Sequence, residues 1–452
     1  MSDHFDAIII GTGQAGPPLA RSLVKEGLNI AIIERKRFGG TCVNTGCIPT
    51  KTLVASARAA WVARNAAAYG VELSGSVSVD MKKVCERKSK VAGASETAVH
   101  QSLVGLKGCR VIEGHAKFTG PHSLQVNRQT LEARQIFINT GARASAPAIP
   151  GLDQIPYLTN SGMVDVDFLP KHLLILGGSY IALEFAQMYA RFGSQVTVIE
   201  RSSRLVSRED PDISTGIREI LESEKIRVVT GAKDIHCAGP VPSVFWDGGE
   251  AQGSHLLVAL GRKPNTDELG VDAAGLKLNP HGYIEVDDEL RTSVPGIWAM
   301  GDCNGKGAWT HTSYNDYEIV AANRDKPGSR RVSDRIEAYN IYIDPPLARC
   351  GMSETAVRKS GKRALMATRP MTKVGRAFEK GETKGFLKIL VDAETELILG
   401  ACLLGIECDE VIHCILDTMY AKASYRTLQH AMHIHPTVSE LIPTLLGDLK
   451  SL

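Results

Sequence analysis

The sequence predicts an α/β protein of several domains. Its 452 residues leave room for about three domains at roughly 150 residues each. Two segments, which begin at residues 5 and 172, share one order of elements: an apolar strand, a glycine turn, a helix and a second apolar strand. Strands that alternate with helices in this way favour parallel sheets covered by helices. Further apolar runs follow towards the carboxyl end, so we expect an additional C-terminal domain.

The composition is that of a folded protein with little charge bias. Hydrophobic residues make up 43% of the chain and charged residues 23%, which argues against disorder. The 52 Lys and Arg residues nearly balance the 50 Asp and Glu residues, so the chain lacks the positive excess that binds nucleic acids or anionic lipids. No apolar run approaches the roughly 18 residues of a spanning helix, and the start MSDHFDAIII does not read as a signal peptide. We therefore expect a cytoplasmic protein with no nucleic-acid or membrane partner.

The first glycine turn has the spacing of a dinucleotide-binding fingerprint. Between the strands FDAIII and NIAIIE the chain reads GTGQAG, which places glycines at Gly11, Gly13 and Gly16. These glycines permit a tight turn, close approach to a pyrophosphate and packing of helix on strand. Glu34 ends the second strand, where a carboxylate can accept hydrogen bonds from the hydroxyls of an adenosine ribose. This segment predicts a Rossmann-like dinucleotide-binding domain.

The second glycine turn is a looser copy of the first. It reads GGSYIA, with Gly177 at its start, Ser179 in place of the middle glycine and Ala182 in place of the last one. Glu200 lies 18 residues beyond Ala182, as Glu34 lies 18 residues beyond Gly16. Two such domains in one chain suggest that a tightly held redox dinucleotide exchanges electrons with a mobile one, as flavoproteins do with NADH or NADPH.

A pair of cysteines follows the first of these domains. Only Cys42 and Cys47, among ten cysteines, share a short segment with strong turn residues, GGTCVNTGCIPTK. In a reducing compartment a close pair is more often catalytic or metal-binding than structural. The run TLVASARAAWVARNAA predicts a helix directly afterwards, and a helix start favours thiolate over thiol. Four intervening residues that include a glycine allow the two sulfur atoms to form a disulfide, while an inert disulfide or a metal-binding pair remains the alternative.

With this segment the chain resembles the class I pyridine nucleotide-disulfide oxidoreductases, the family of glutathione reductase, dihydrolipoamide dehydrogenase and mercuric reductase. Later segments match the family in order: GHA at 114–116, INTGAR at 138–143, LLVALGRKPNT at 256–266 and GIWAMGDCNGKGAWTH at 296–311. The resemblance implies FAD in the first domain, NADH or NADPH in the second and a C-terminal α+β dimerisation domain. The implied bounds are 1–150 for the FAD domain, 151–268 for the NAD(P) domain, 269–335 for a return segment and 336–452 for the interface domain.

The resemblance also implies roles for individual residues. Cys47 would be the thiol next to the flavin and Cys42 the thiol that attacks the substrate. Lys51 would lie near the flavin ring with Glu184 as its partner, and Tyr180 would cover the nicotinamide pocket. The remaining implied cofactor contacts are Gly11, Gly13, Gly16, Glu34, Gly40, Thr41, Ala116, Gly141, Asp302 and Thr310 for FAD, and Gly177, Ser179, Glu200, Arg201 and Gly261 for the nicotinamide dinucleotide. No metal ligand is predicted.

The segment HIHPTVSE near the carboxyl end resembles a further motif of the family. By that resemblance His435 is the acid and base for the distal thiol, and Glu440 orients its ring. In the family this dyad reaches the cysteines of the partner subunit, so the match implies a homodimer in which His435 completes the partner's site. His433 is expected to be an ordinary surface or core residue.

The coenzyme and the electron acceptor stay open at the level of sequence. Glu200 would repel a 2'-phosphate and favours NADH, whereas Arg201 and Arg204 could bind that phosphate. The motifs GDC and REDPDI bring the chain nearest to the mercuric reductases, but the tail LLGDLKSL has no cysteine pair, which argues against mercuric ion as the substrate.

We expect reduction of a small-molecule or thiol/disulfide substrate, or of a soft metal. A dihydrolipoamide dehydrogenase that oxidises a dithiol and a redox-sensing flavoprotein are the alternatives. Three C-terminal cysteines, Cys402, Cys408 and Cys414, recur every six residues. This spacing fits neither face of a helix or strand, so we expect them to be structural thiols.

Overall fold

The computed structural model describes residues 3–145 and 147–452. The first two residues of the polar start MSDHF therefore lie outside the described part, as does Ala146. No helix within these described ranges is long and apolar enough to cross a membrane.

The first part of the chain forms a mixed sheet with helices packed on one face and strand and loop residues on the other. Its elements are β1 (Asp3–Ile10), α1 (Gly16–Lys25), β2 (Ile30–Glu34), α2 (Gly40–Asn44), α3 (Cys47–Arg64), α4 (Met81–Val104), β3 (Cys109–Glu113), β4 (Ala116–Gly120), β5 (Ser123–Val126) and β6 (Gln129–Ile138). The strands lie in the order β3-β2-β1-β6-β5-β4, and β1 pairs in parallel with both β2 and β6. Ile8 and Ile9 of β1 are buried in two different apolar clusters. The unbroken apolar run of β1 is therefore explained by burial on both faces of the sheet.

The second part repeats the strand–turn–helix–strand unit. Its elements are β7 (Ala142–Ala144), α5 (Asn160–Met163), β8 (His172–Leu176), α6 (Tyr180–Phe192), β9 (Gln195–Glu200), α7 (Pro211–Ser223), β10 (Arg227–Thr230), β11 (His236–Ala238), β12 (Ser243–Trp246), β13 (Gly249–Gln252), β14 (His255–Val258) and β15 (Arg262–Pro264). A parallel sheet has the order β10-β9-β8-β14, and β11, β12 and β13 form a separate antiparallel sheet. The crossing strands β7 and β15 pair with each other in antiparallel orientation.

The chain then returns to the first sheet. Strand β16 (Ile297–Ala299) pairs in parallel with β6, and α8 (Thr310–Asp325) follows. Helix α8 packs against α1. This return brings the start of α8 to the same region as the first glycine turn.

The last part is an antiparallel sheet with helices, in agreement with the C-terminal α+β domain that the family resemblance implies. Its elements are β17 (Ala338–Ile341), β18 (Leu347–Gly351), α9 (Glu354–Ser360), β19 (Ala364–Pro370), α10 (Gly375–Glu379), β20 (Phe386–Asp392), β21 (Ile398–Leu404), α11 (Cys408–Tyr420), α12 (Arg426–His430), α13 (Ile442–Gly447) and β22 (Lys450–Ser451). The strands lie in the order β17-β18-β21-β20-β19-β22. The α/β fold class with a C-terminal α+β part is therefore confirmed, while the exact domain bounds stay predictions.

Candidate active site

The first glycine turn is too crowded for side chains. Gly11 has φ +103°, and a Cβ atom there would lie 2.3 Å from the carbonyl oxygen of Asn139. A Cβ atom on Gly16 would lie 2.4 Å from the carbonyl oxygen of Gly11. These distances are far below van der Waals contact, so glycine is required for the turn to lie this close to β6 and for α1 to begin where it does.

Asn139, which directly follows β6, holds this turn from the opposite side. Its Oδ1 accepts from the backbone N–H of Gly16 at 3.2 Å, and its Nδ2 donates to the carbonyl of Met300 at 2.9 Å. The sequence does not mark Asn139, within the INTGAR segment, as a site residue. Because its partners are 123 and 161 residues away along the chain, no local signal marks its role.

Glu34 lies where the fingerprint predicts it, at the end of β2. Its Oε2 accepts from the backbone N–H of Thr12 at 3.1 Å and from the Thr12 hydroxyl at 2.6 Å. Its Oε1 accepts from the backbone N–H of Lys36 at 2.9 Å. Each oxygen of a carboxylate can accept more than one hydrogen bond, so the fixed group can still accept from ribose hydroxyls.

A cavity of about 890 Å³ connects the glycine turn to the cysteine pair. The predicted site residues that line it are Gly11, Gly13, Glu34, Gly40, Thr41, Cys42, Cys47, Lys51, Ala116, Gly141, Tyr180, Glu184, Asp302 and Thr310. The predicted residues outside its lining are Gly16, Gly177, Ser179, Glu200, Arg201, Gly261, His435 and Glu440. The structure therefore brings together residues from distant parts of the sequence around one cavity and places the second glycine turn and the C-terminal dyad elsewhere.

Two successive helices, a short one and a long one, position the cysteines. Cys42 lies in α2 and Cys47 is the first residue of α3; Gly46, with φ −126° and ψ −117°, breaks the helical path between them. Both residues are thiols in this structure. The Sγ atom of Cys47 lies 3.0 Å from the hydroxyl oxygen of Thr310, which is the first residue of α8.

The two thiols differ in acidity. The hydrogen bond from Cys42 lowers the pKa of Cys47 to about 6, against burial, and the Thr310 hydroxyl and the Lys51 charge act in the same direction as Cys42. The hydrogen bond with Cys47 and burial raise the pKa of Cys42 well above its usual range. Cys47 is therefore the thiol that carries the negative charge near neutral pH.

Lys51 and Glu184 form a partly buried ion pair on the same cavity wall. The Nζ atom of Lys51 lies 2.7 Å from Oε2 of Glu184, whose side chain is 3% exposed. The other carboxylate oxygen accepts from the backbone N–H of Tyr342 at 2.9 Å, and the Lys51 ammonium lies 4.7 Å from the Tyr342 ring centroid. The pairing of Lys51 with Glu184 that the family resemblance implies is present in the structure, with Tyr342 as an unpredicted neighbour.

Asp302 is held in the cavity wall by a residue that the sequence did not mark. Arg262 donates to its Oδ2 at 3.0 Å. Burial raises the pKa of Asp302, although the Arg262 charge lowers it.

Three buried polar atoms of cavity-lining residues have no partner within the described ranges: Asn44 Oδ1, Thr140 Oγ1 and Arg262 Nε. Unpartnered buried polar atoms are rare in folded proteins, so they indicate a polar ligand.

These features fit the expected FAD. The glycine turn and the Glu34 carboxylate suit the adenosine diphosphate half. Asp302 and the orphaned polar atoms supply partners for hydroxyls and ring nitrogens, and the Cys47 thiol lies at the wall where the redox-active ring would be needed. The volume of the cavity lies within the range of small-molecule sites.

The second glycine turn lies outside the lining of this cavity. Gly177 has φ +116°, and a Cβ atom there would lie 2.5 Å from the carbonyl oxygen of Ala259. Oε1 of Glu200 accepts from the backbone N–H of Ser202 at 2.6 Å, while Arg201 is exposed. Ser179 directly precedes α6, and Gly261 directly precedes the crossing strand β15.

The C-terminal dyad is formed but faces outwards. Nδ1 of His435 lies 2.8 Å from Oε2 of Glu440, and the side chains are 80% and 17% exposed respectively. His433 instead contacts the backbone carbonyl of Ser439 at 2.8 Å. Among the three C-terminal cysteines, Cys402 and Cys408 are buried and Cys414 is half-buried, in keeping with structural thiols.

Comparisons with known proteins place these features in a family. The family model described as pyridine nucleotide-disulphide oxidoreductase matches residues 5–321, and the model for the dimerisation domain of these enzymes matches residues 338–446. The probable pyridine nucleotide-disulfide oxidoreductase RclA of Escherichia coli is 36% identical over 99% of this chain and 100% of its own length. A mercuric reductase of Bacillus cereus is 30% identical over 96% of this chain and 70% of its own length.

A dihydrolipoyl dehydrogenase of Thermus scotoductus is 32% identical over 96% of this chain and 95% of its own length. Among solved structures, a Cu(II) complex of the HOCl-induced flavoprotein disulfide reductase RclA from Escherichia coli superposes with a TM-score of 0.89 at 36% identity, over 98% of this chain and 99% of the other.

Proposed function

Because the chain belongs to the pyridine nucleotide-disulphide oxidoreductases, FAD-dependent enzymes that use NAD(P)H, we propose that Cys42 and Cys47 are its redox-active pair and that it reduces a disulfide or a soft-metal acceptor. The observation that carries this proposal is the position of both thiols in the wall of the cavity that fits FAD. The overall exchange converts one NAD(P)H, one proton and one disulfide into NAD(P)+ and two thiols.

The two cysteines take different roles according to their acidity. FAD, when bound, supplies a carrier that accepts a hydride from NAD(P)H and delivers two electrons to the cysteine pair. Cys47, with its pKa lowered to about 6 by Cys42, suits the thiolate that rests against this carrier. Cys42, which keeps its proton, suits the thiol that attacks the acceptor once a base removes that proton.

Lys51, Glu184 and Tyr180 line the same cavity. We assign these residues to the side of the flavin ring at which the nicotinamide reacts. The Lys51 ammonium, fixed by Glu184 at 2.7 Å, provides a positive charge where negative charge develops during reduction. The Tyr180 ring is suited to cover the nicotinamide site and to exclude water from it until the nicotinamide displaces the ring.

His435 is proposed as the base for Cys42 of a second subunit. Its Nδ1 is occupied by Glu440 at 2.8 Å, and its ring is 80% exposed, so Nε2 is free to meet an approaching thiol. A match to the dimerisation domain over residues 338–446 supports a homodimer. Glu440 would stabilise the imidazolium that forms when His435 takes the proton.

NADH is the proposed coenzyme. Glu200 stands at the position that accepts from a ribose 2'-hydroxyl, with its Oε1 fixed by the backbone of Ser202. A 2'-phosphate placed there would meet a carboxylate at close range. Arg204, the cation nearest in sequence after Arg201, is turned towards the carbonyl of Ser207 at 3.2 Å.

Steady-state turnover tests the proposed function. Holoenzyme is assayed with NADH and with NADPH against glutathione disulfide, oxidised lipoamide, mercuric ion and cupric ion, the last because a related protein was solved as a Cu(II) complex. Turnover of at least one acceptor that is lost in both Cys42→Ser and Cys47→Ser supports the proposal. Turnover that survives in both variants contradicts it. If dihydrolipoamide reduces NAD+ faster than NADH or NADPH reduces any of the acceptors, the physiological direction is dithiol oxidation and the assigned direction is wrong.

A further inference from the structure

Three aromatic rings form a continuous column beside the cysteine pair. The Tyr180 ring centroid lies 4.8 Å from that of Trp309, and Trp309 stacks on Tyr339 at 5.1 Å with an angle of 9° between the rings. All three residues line the cavity. They come from three different parts of the fold, namely α6, the residue before α8, and β17.

The far end of this column is anchored in a buried charge cluster. The Tyr339 hydroxyl donates to Oε1 of Glu209, and Oε2 of Glu209 accepts from Nε of Arg349 at 2.8 Å. The Glu209 and Arg349 side chains are only 2% and 4% exposed. Hydrogen bonds to a charged group in such a dry environment are strong and directional, so the Tyr339 ring has little freedom to move.

Trp309 also has a fixed backbone. Its N–H donates to the hydroxyl of Thr312 at 3.2 Å, and that hydroxyl donates to the Trp309 carbonyl at 2.7 Å. The next residue, Thr310, contacts the Cys47 sulfur at 3.0 Å. The Trp309 ring is therefore held from its backbone, by the stacked Tyr339 ring and by the near-parallel His311 ring at 6.3 Å, and it also contacts Tyr180.

We propose that the Trp309 ring acts as a latch, meaning that its contact with the Tyr180 ring holds that ring in place. Tyr339, Glu209 and Arg349 are positioning residues that hold the Trp309 ring. The column therefore sets how readily a nicotinamide displaces the Tyr180 ring. This inference rests on the proposed function, in which Tyr180 covers the nicotinamide site. Every productive encounter with NAD(P)H breaks the Tyr180–Trp309 contact, and the energy of that contact opposes coenzyme binding.

Kinetics of single variants test the latch. Trp309→Leu removes the ring contact but keeps an apolar side chain, and we expect its KM for the coenzyme to fall about fivefold with kcat nearly unchanged, as the loss of one aromatic pair implies. Tyr339→Phe keeps the stacked ring and loses only its anchor, so KM should fall about twofold. Tyr314→Phe is the matched control, because Tyr314 is an exposed aromatic residue of α8 whose ring contacts Tyr317 rather than the column.

A double-variant cycle separates the latch from a general structural effect. In a Tyr180→Ala background there is no ring to hold, so Trp309→Leu should leave KM unchanged. An equal KM change in both backgrounds, or a rise in KM with Trp309→Leu, would overturn the inference. The acidity of Cys47 should stay near that of the wild type in Trp309→Leu, because Thr310 keeps its place; a shifted Cys47 titration would show that Trp309 acts through the thiol instead.

The outcome also separates this inference from the proposed function. If wild-type holoenzyme is not reduced by either nicotinamide, the proposed function fails. If it is reduced and the Trp309 and Tyr339 variants keep the wild-type KM, only the latch fails.

Discussion

At the scale of single residues, the interaction between Cys42 and Cys47 makes two chemically identical groups differ in acidity. It lowers the pKa of Cys47 to about 6 and raises that of Cys42. The sequence predicts that the pair is redox-active and, through the family resemblance, which thiol has which role. It does not predict the contribution of Thr310 at 3.0 Å, because that hydroxyl lies 263 residues further along the chain.

The acidity of Cys47 gives a pH dependence with a definite sign. Its pKa is lowered, so the reduced protein holds the thiolate above about pH 6 and loses it as the pH falls below that value. Alkylation of Cys47 by iodoacetamide, followed by mass spectrometry, should titrate with a midpoint near pH 6. In Cys42→Ala the strongest stabilising contact is gone, and the midpoint should rise towards that of an ordinary thiol; an unchanged midpoint would show that Cys42 is not the cause.

The ion pair of Lys51 and Glu184 gives a second prediction for a single residue. Glu184→Gln keeps the shape and the hydrogen-bond acceptor but removes the buried charge that fixes the Lys51 ammonium at 2.7 Å. We expect reduction by NAD(P)H to slow roughly tenfold, which corresponds to about 1.4 kcal/mol of lost transition-state stabilisation.

The matched control for this variant is Glu222→Gln. Glu222 pairs with Arg218 on the exposed face of α7, and such surface pairs contribute little. Stopped-flow absorption measures the rate of reduction by NAD(P)H in both variants. Equal rates in the two variants would show that Lys51 and Glu184 have no role in the proposed mechanism.

At the scale of elements, the first strand–turn–helix–strand unit was largely predictable because its signals are local. The apolar runs FDAIII and NIAIIE correspond to β1 (Asp3–Ile10) and β2 (Ile30–Glu34). The helix after the cysteine pair was also predicted, but the separate short helix α2 was not. It begins after the positive φ of Gly39, and Gly46, with φ −126° and ψ −117°, separates it from α3. A glycine can adopt such angles or avoid them according to its tertiary surroundings.

Asn139 provides the prediction at this scale. Asn139→Ala removes the hydrogen bonds to the Gly16 N–H and the Met300 carbonyl, which keep only the Gly13 carbonyl and the Cys303 thiol as partners, at a cost of about 0.5–1.5 kcal/mol for each bond lost. We expect a lower free energy of unfolding and weaker retention of FAD on gel filtration. Asn65→Ala, which removes an exposed hydrogen bond to Trp61, serves as the control, and retention of FAD equal to this control would contradict the role of Asn139.

At the scale of the whole molecule, the C-terminal dyad is a pair of site residues that lies away from the cavity of its own chain. His435 and Glu440 are paired as the family resemblance implies, yet His435 is 80% exposed and lies outside the lining of the cavity that contains Cys42. The sequence could predict the dyad because its motif is local, whereas Arg262, Tyr339 and Arg349 were missed because their partners come from other parts of the fold.

Subunit mixing tests whether the dyad acts across the dimer. Cys42→Ser and His435→Ala proteins, each nearly inactive alone, are unfolded together in equal amounts and refolded with FAD. If His435 serves the partner's Cys42, each mixed dimer contains one intact site, and the mixture should regain about a quarter of the wild-type activity. If both residues act within one chain, no intact site forms and the mixture stays inactive.

The most direct measurement is the absorption spectrum of the holoenzyme during anaerobic reduction by NADH. The account predicts that reduction of the wild type produces a long-wavelength band from a thiolate in contact with oxidised flavin, that Cys42→Ser shows this band already before reduction, and that Cys47→Ser does not show it. A band that persists in Cys47→Ser, or a wild-type enzyme that is reduced without any such band, would contradict the claim that the Cys47 thiolate lies against the flavin.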